Sequence, residues 1–282
     1  MSVHVKIVVD NNTQQDSYTT EHGLCVYVET ATHKCLVDVG ASDKFATNAE
    51  KMGIDISDID YVFLSHGHLD HVGGLPYFLA HNAKAKIVHA ASLFTQRYFS
   101  TRNTTRDISL DYIFTEEQLA RFIPVSVFVQ IEKDISILPH ICQKFPLPKG
   151  NKFLFTQSGN KEMERDIFDH EIVVCFGTTN LLVCSGCAHN GLLNILHTVE
   201  QDLSVPIRAV VGGFHLLDTQ GGNTYEMPEE VEEIANVLQQ KYPATDFYTG
   251  HCTGNNAIEI LKQVLNERLS TFFCGWNTTL EN

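Results

Sequence analysis

The sequence lacks long apolar runs and has few basic residues. No run approaches the roughly 18 consecutive apolar residues that a membrane-spanning helix needs. The 20 Lys and Arg residues are outnumbered by 34 Asp and Glu, which gives a formal net charge of −14. Such a charge disfavours non-specific binding to nucleic acid or to anionic membrane surfaces. We therefore expect neither a nucleic acid nor a membrane among the partners of this protein.

The sequence also lacks the marks of a secreted protein. Residues 1–6 have neither the basic start nor the apolar stretch of a signal peptide. Eight cysteines in 282 residues are too sparse for a disulfide framework. Four of them stand inside apolar runs, as buried free thiols do: Cys25, Cys35, Cys175 and Cys184. Together these features predict a cytoplasmic protein.

A dense cluster of metal-binding residue types follows the apolar run 61–64. Within six residues the chain places four of them: His66, His68, Asp70 and His71. Imidazole and carboxylate ligands together suit zinc, iron or manganese. The spacing allows two adjacent ions, one near the first two histidines and one near Asp70 and His71. We predict a centre for one or two ions, with zinc favoured and iron or manganese as alternatives. Asp70 is also a candidate catalytic residue, because it can accept a proton from water.

Three later strand-like runs end in histidines that have glycine nearby. His189 and His251 are predicted to complete the metal centre from two of these corners. Cys187, two residues before His189, is a possible further ligand because a thiolate binds zinc well. His215 ends the third corner and is a candidate catalytic proton donor. A role as a ligand or as a substrate contact stays open for this residue.

Three residues outside these corners are weaker candidates. Asp38 ends an apolar run, and an acid there must be paired or hydrogen-bonded. We expect it to orient a ligand histidine from behind. His170 stands between two acids and is either a further ligand or a residue that orients one. His22 begins a strand-like run and is a candidate substrate contact.

The order of predicted elements indicates an α+β protein. Strand-like runs dominate the first third of the chain, and strands alternate with helical segments in the last third. This order fits sheets covered by helices in a single domain, residues 1–282, with two similar halves.

The middle segment, residues 91–165, has a less regular pattern. It is predicted to contain a helix at 94–99 and a loop-rich stretch at 144–163, and to act as a lid-like insertion. This segment carries a net charge of +2 in an otherwise acidic chain. An anionic small-molecule substrate is therefore expected here, with basic residues of the segment as candidate contacts: Arg97, Arg102 and Arg106.

The sequence resembles the metallo-β-lactamase superfamily, whose signature is His-x-His-x-Asp-His after a strand. Residues 66–71 match that signature at all four positions, and Val-Asp-Val-Gly at 37–40 resembles the superfamily's Asp-containing strand end. This resemblance implies an αββα sandwich of two mixed β-sheets flanked by helices, with metals at one edge of the sheets. It also implies that His189 and His251 lie where later ligand motifs occur.

A narrower resemblance covers most of the chain. Five segments together resemble the 7,8-dihydropterin-6-methyl-4-(β-D-ribofuranosyl)-aminobenzene-5′-phosphate synthase-like branch of that superfamily: 21–24, 53–68, 185–189, 212–216 and 251–254. This second resemblance implies a substrate that bears a phosphate or a pterin.

One departure from the superfamily pattern concerns the second metal position. Most dinuclear members have a bridging aspartate at a late Gly-Asp corner, and the equivalent corner here is Gly186-Cys187. A second ion would then be held by fewer or softer ligands, so both one-ion and two-ion centres stay open.

The predicted function is that of a metal-dependent hydrolase or transferase. Its substrate is expected to be a small phosphorylated or diphosphorylated molecule, with a pterin-like compound as one candidate. The alternative is an iron-binding redox or sensor protein of the same fold, because Cys187 beside histidines suits iron. A binding module without catalysis is the third hypothesis, and retention of the whole signature disfavours it.

Overall fold

The computed structural model describes residues 2–219 and 222–281. Within them the strands are β1 (Ser2–Val9), β2 (Cys25–Glu29), β3 (Lys34–Val37), β4 (Tyr61–Leu64), β5 (Lys86–Ala90), β6 (Arg97–Ser100), β7 (Arg106–Asp107), β8 (Phe122–Val125), β9 (Val129–Glu132), β10 (Ile135–Leu138), β11 (Leu154–Gln157), β12 (Glu164–Arg165), β13 (Val173–Phe176), β14 (Leu181–Cys184), β15 (Ile207–Val211), β16 (Asp246–Thr249), β17 (Leu269–Thr271) and β18 (Asn277–Glu281). The helices are α1 (Lys44–Lys51), α2 (Leu69–Val72), α3 (Leu75–His81), α4 (Glu116–Leu119), α5 (Leu192–Leu203), α6 (Pro228–Lys241) and α7 (Asn255–Leu265).

The strands form two large sheets and a small one. The first sheet has the order β18-β1-β2-β3-β4-β5-β8, and the second has the order β17-β16-β15-β14-β13-β10-β9. Strands β3, β4, β5 and β8 run parallel, as do β14, β15, β16 and β17. The carboxyl ends of parallel strands meet at one edge of a sheet, which is where ligands bind in many open sheets.

Alternating side chains of the two large sheets separate the core into three apolar layers. In β3, Val37 faces the other sheet, whereas its neighbour Leu36 packs under the helices of the first half. In β14, Leu182 faces the space between the sheets and Val183 packs under α5, α6 and α7. The period-two alternation of strands makes this two-sided burial possible. The order helix, sheet, sheet, helix confirms the predicted αββα sandwich.

The covering helices follow from apolar residues at helical spacing. In α5, four buried residues recur three or four positions apart and form one face: Leu192, Ile195, Leu196 and Val199. Helix α6 starts with proline at its first position, followed by acidic residues, which favour the positive end of the helix dipole. It is the longest described helix, at 14 residues. Across residues 2–219 and 222–281, no helix combines the length and apolar character needed to cross a bilayer.

The segment 91–165 differs in part from its predicted structure. The helix predicted at 94–99 is wrong, because Arg97–Ser100 forms strand β6 and pairs with β11. In β6 the more buried residues, Tyr98 and Ser100, alternate with the less buried ones, so pairing across strands outweighs the local helical spacing. Strands β6, β7, β11 and β12 form the small third sheet. The loop-rich stretch at 144–163 contains a 3₁₀ turn and strand β11.

The buried side-chain amide of Asn194, on α5, holds residues 144 and 145 of this segment against the second half of the chain. The Asn194 side chain accepts hydrogen bonds from the N–H groups of Lys144 and Phe145, at 2.8 and 2.6 Å. It donates to the carbonyl oxygens of Phe145 and Asn190, at 2.9 and 2.8 Å. Asn194 is fully buried, whereas Lys144 is exposed and Phe145 is half-buried, so the amide ties a surface loop to the interior of the second half.

Replacement of Asn194 is therefore expected to destabilise the fold. Asn194→Ala removes the side chain that pairs the N–H groups of Lys144 and Phe145, and it should lower the free energy of unfolding by about 3 kcal/mol. Urea denaturation followed by circular dichroism measures this loss. The matched control is Asn256→Ala, since Asn256 is exposed and its replacement should change stability by less than about 0.5 kcal/mol. Equal stability of the two variants would contradict the anchoring role of Asn194.

Candidate metal centre

The turn after β4 carries the predicted metal-binding residues to one edge of the first sheet. His66 and His71 are fully buried, and His68 is nearly so. His68 stands at the start of α2, in an extended conformation, so that Asp70 and His71 fall in the first turn of this helix. The short connection between β4 and α2 thus directs all four side chains toward the second sheet.

A buried carboxylate fixes the orientation of two of these histidines. Asp38 accepts hydrogen bonds from the Ser65 N–H (2.7 Å), the Ser65 hydroxyl (2.6 Å) and the His71 Nδ1 (2.6 Å). The Ser65 oxygen lies 2.9 Å from Nδ1 of His66. Because a carboxylate only accepts and the Ser65 hydroxyl already donates, both Nδ1 atoms carry the proton. The Nε2 lone pairs of His66 and His71 therefore face the interior of the site.

The first ligand set consists of His66, His68 and His189. One ligating atom from each of these residues lies within 4.8 Å of the other two. His189 follows β14 in the second sheet, and its Nδ1 lies 3.1 Å from the Asn151 Oδ1. The Nε2 atoms of His66 and His189 are buried and have no hydrogen-bond partner within 2–219 and 222–281. Buried nitrogens without partners are rare, and here they fit a bound cation.

The second ligand set consists of Asp70, His71 and His251. The Asp70 Oδ2 lies 3.6 Å from the His71 Nε2 and 3.4 Å from the His251 Nε2, and the two nitrogens are 3.1 Å apart. A tetrahedral zinc ion with these ligands has edges of about 3.3 Å between donor atoms. The His251 Nδ1 lies 3.1 Å from the Asn11 Oδ1, which leaves its Nε2 lone pair toward the other two atoms. Three lone pairs at this separation repel one another unless a cation lies between them.

The pKa values of the ring nitrogens and of the Asp70 carboxylate agree with a position that binds a cation. Burial, with the neighbouring histidines, lowers the pKa of His66 and His189 well below the usual range, so both rings are neutral. Burial alone would lower the pKa of His251, but Asp70 and Cys252 raise it to about 9. Burial alone would raise the pKa of Asp70, but the adjacent histidines hold it well below its usual value. A metal ion held by these three residues would displace that proton from His251.

Cys187 lies between the two ligand sets. Its Sγ is 3.3 Å from the His71 Nε2 and within 4.8 Å of the nearest ring nitrogen of His66. The thiol is almost fully buried, and burial raises its pKa well above the usual value. A bound metal ion reverses this effect, because a coordinating thiol loses its proton. Cys187 therefore stands where a ligand shared by two ions would be needed.

His215 faces the same space from the corner after β15. Both of its ring nitrogens are buried, and neither has a hydrogen-bond partner in the part of the chain that the structure describes. Its ring centroid is 4.2 Å from that of His189, and one of its nitrogens lies within 4.8 Å of the Cys187 Sγ. The geometry suits a proton donor or a ligand, both of which the sequence analysis left open.

His170 lies behind the first ligand set. Its Nδ1 accepts a hydrogen bond from the Gly67 N–H at 3.0 Å, and its Nε2 lies 3.0 Å from the Asp166 carboxylate. Both nitrogens are thus engaged, which is the arrangement of a residue that orients the turn. The same turn also requires a glycine. A side chain at position 67 would come within 2.2 Å of the Tyr98 ring, so only glycine lets the backbone pack against this ring.

Several residues of the site have left-handed backbone conformations. The φ angles are 62° at Asp38, 56° at Ala188, 50° at His215 and 52° at His251. Such conformations cost about 1 kcal/mol or more for residues other than glycine, and they persist where surrounding contacts impose them. Each of these residues lies shortly after the end of a strand, in a turn that carries side chains of the site toward its interior.

A cavity of about 460 Å³ opens above the two ligand sets. Of the predicted substrate contacts, Arg102, Arg106 and His22 line it. His22 is largely exposed, and its Nε2 lies 3.4 Å from the Asp70 Oδ2. Arg97 does not line this cavity, and its guanidinium group binds the Asp107 carboxylate at 2.6 Å.

The structure adds residues that the sequence analysis did not single out. Asn11 and Asn151 bind the outer nitrogens of His251 and His189, and Glu171 accepts the His189 N–H at 2.7 Å. Cys252 lines the cavity beside His251. The direct succession of His251 and Cys252 at a strand end was an available signal for the second thiol. Nothing in the local sequence marks the two asparagines; Asn11 lies in a loop, and Asn151 lies in a short 3₁₀ turn.

Comparisons with known proteins agree with this geometry. The model of the metallo-β-lactamase superfamily matches residues 18–147. An uncharacterized protein of Methanocaldococcus jannaschii is 24% identical over 272 residues, which cover 93% of this chain and 95% of that protein. The 7,8-dihydropterin-6-methyl-4-(β-D-ribofuranosyl)-aminobenzene-5′-phosphate synthase of the same organism is 22% identical over 284 residues, with 92% and 90% covered.

Solved structures extend the similarity over the whole chain. The crystal structure of a metal-dependent hydrolase of the β-lactamase superfamily superimposes with a TM-score of 0.81 and 27% identity, and covers 99% of this chain and 100% of that one. A diphosphatase from the PhnP family has a TM-score of 0.51 at 12% identity, with 99% and 98% covered, and shows the fold alone. In its fold, its signature at 66–71 and these relatives, the chain is similar to proteins of the metallo-β-lactamase superfamily.

Proposed function

We propose that this protein is a metal-dependent hydrolase or transferase of small phosphorylated or diphosphorylated molecules, with zinc as its favoured metal. One observation carries the proposal: residues of both ligand sets line the same cavity as Arg102 and Arg106, and they are His68, Asp70, His189 and His251. Its volume of about 460 Å³ suits a small organic molecule. Nitrogen and sulfur donors together favour zinc, with iron and manganese as alternatives.

Arg102 supports an anionic substrate. Its Nε is buried and lacks a hydrogen-bond partner within residues 2–219 and 222–281. The guanidinium carbon lies 5.9 Å from the ring centre of Tyr225, so the aromatic ring supports the flat group from one side. A guanidinium N–H without an acceptor favours a ligand that brings oxygen atoms, and phosphate oxygens match its planar donors.

Each group of residues at the site has its own role in the proposed reaction. When bound, the metal ions polarise a phosphoryl oxygen and lower the pKa of water toward neutrality. Asp70 accepts the proton that the attacking group loses. His215 donates a proton to the leaving oxygen, since neither of its nitrogens has a hydrogen-bond partner among residues 2–219 and 222–281. Arg102 and Arg106 hold the anionic part of the substrate in place.

The attacking group decides between hydrolysis and transfer. Attack by water at phosphorus breaks the P–O bond and gives hydrolysis. Attack by an amine at the carbon that bears the diphosphate forms a C–N bond, breaks the C–O bond and releases the diphosphate. The hydrolase among the similar structures supports the first reaction. The dihydropterin-linked synthase among the relatives supports the second and makes a pterin-like compound one candidate substrate.

The first expected result concerns the metal itself. Purified protein should contain a transition metal, and His68→Ala should lower both the metal content and the hydrolysis of a panel of phosphoesters, the latter by at least about 100-fold. Plasma mass spectrometry and single-turnover assays measure the two quantities. His140→Ala is the matched control, because His140 is exposed and far from the ligands in sequence. Metal-free protein, or full activity of His68→Ala, would overturn the proposal, and stoichiometric iron with visible absorbance would favour a redox role.

Removal of a guanidinium group should weaken substrate binding. Arg102→Ala is expected to raise KM for a phosphorylated substrate about tenfold or more, because one charge-assisted hydrogen bond is worth about 1.5–3 kcal/mol. Metal content should stay unchanged. Arg208→Ala, on β15 and paired with Asp246, serves as the control and should leave KM within twofold, about 0.4 kcal/mol, of the wild type. A KM that responds equally in both variants would count against a phosphate contact at Arg102.

Loss of the His170 contact should loosen the metal-binding turn. His170→Ala removes the acceptor of the Gly67 N–H and is expected to reduce zinc affinity about 10- to 100-fold, as such supporting contacts do in other metal sites. Competition with a chromophoric chelator measures the affinity. His170→Gln retains an acceptor and should recover part of the loss. An unchanged zinc affinity in His170→Ala would show that the turn does not need this contact.

A further inference from the structure

Two thiols meet in the metal cavity although they are 65 positions apart in the chain. Cys187 and Cys252 both line the cavity, whereas Cys142 is exposed. The Sγ atoms of Cys187 and Cys252 and the nearest ring nitrogen of His251 lie within 4.8 Å of one another. All three residues are buried. Two sulfurs and an imidazole nitrogen at this separation form a ligand set of the kind that binds zinc.

The backbone holds the Cys252 sulfur in place. The His251 N–H donates to the Asp10 carboxylate at 2.9 Å, and the Thr253 N–H donates to the Gly250 carbonyl at 2.9 Å. These contacts fix the residues on both sides of Cys252. The sulfur itself lies 3.7 Å from the Cys187 carbonyl oxygen, which is a weak contact for a thiol. The turn therefore sets the position of this sulfur.

A glycine leaves the space that this sulfur occupies. A Cβ atom at Gly213 would lie 2.3 Å from the Cys252 Sγ, a distance that no real contact reaches. The φ angle of Gly213 is not among the positive values of the described chain, so its backbone does not require glycine. Because the Cys252 sulfur approaches so closely, only glycine fits at position 213, in the turn that follows β15.

We infer that Cys252 supplies a second thiolate to the metal centre, beside Cys187 and His251, and so makes one ion position rich in sulfur. Each thiol loses its proton to solvent as its bond to the metal forms. A site with two thiolates favours zinc over manganese, because soft donors suit zinc. This inference depends on the metal centre of the proposed function but not on its phosphorylated substrate.

Cobalt substitution tests the inference directly. Reduced, metal-free protein is titrated with Co²⁺, and the near-ultraviolet band from sulfur-to-cobalt charge transfer is recorded. Cys252→Ser and Cys187→Ser should each lower the intensity of the band at saturation by about a third or more, since each removes one of the two sulfur donors. Cys142→Ser is the matched control and should leave the band unchanged. A Cys252→Ser band as strong as that of the wild type would overturn the inference.

A second measurement uses the unaltered protein, so it does not depend on the folding of a variant. Alkylation of each cysteine by iodoacetamide is followed by peptide mass spectrometry with and without Zn²⁺. Zinc should slow the modification of both Cys187 and Cys252 and leave that of Cys142 unchanged. Equal modification of Cys252 with and without zinc would contradict coordination. A sulfur band that follows Cys252 in a protein without phosphoester activity would retain this inference and reject the proposed substrate.

Discussion

The buried carboxylate of Asp38 is the contact on which the candidate metal centre depends. It lies at the end of β3, and its three hydrogen bonds reach the backbone and side chain of Ser65 and the ring of His71. A buried charge is costly unless it is fully paired, so this network forms only when β3 and β4 are in register. The same register fixes the ring orientation of His66 through Ser65. The pairing of β3 with β4 therefore also sets the direction in which the rings of His66 and His71 point.

The centre also depends on the packing of the two sheets against each other. The first sheet supplies His66, His68, Asp70 and His71, and the second supplies Cys187, His189 and His251. The donor atoms of His71 and His251 are 3.1 Å apart although they belong to different sheets. A displacement of about 1 Å between the sheets would move this pair out of the range that one ion can bridge. The apolar core between the sheets thus sets the metal geometry as well as the stability.

The sequence predicts best the features that are local. Residues 66–71 form one turn, and the ends of apolar strands mark His189 and His251, so pattern and spacing suffice to bring these residues into one hypothesis. The contacts of Asn11 and Asn151 arise only when distant loops meet, and no local pattern records that meeting. The strand at 97–100 was missed for a related reason, because its pairing with β11 overrides its helical spacing. A histidine such as His170 has the same local sequence whether it binds a metal or orients a turn.

Cysteine in place of a bridging carboxylate changes what the centre can hold. A carboxylate offers one oxygen to each of two ions, whereas Cys187 offers a single sulfur that both ions would have to share. Hard ions such as magnesium and manganese gain little from that sulfur, and zinc gains more. The signature at 66–71 is common to the superfamily and cannot make this distinction. With the proposed ligands, selectivity for the metal would therefore reside in the second sheet, in the turns that follow β14 and β16 and carry Cys187 and Cys252.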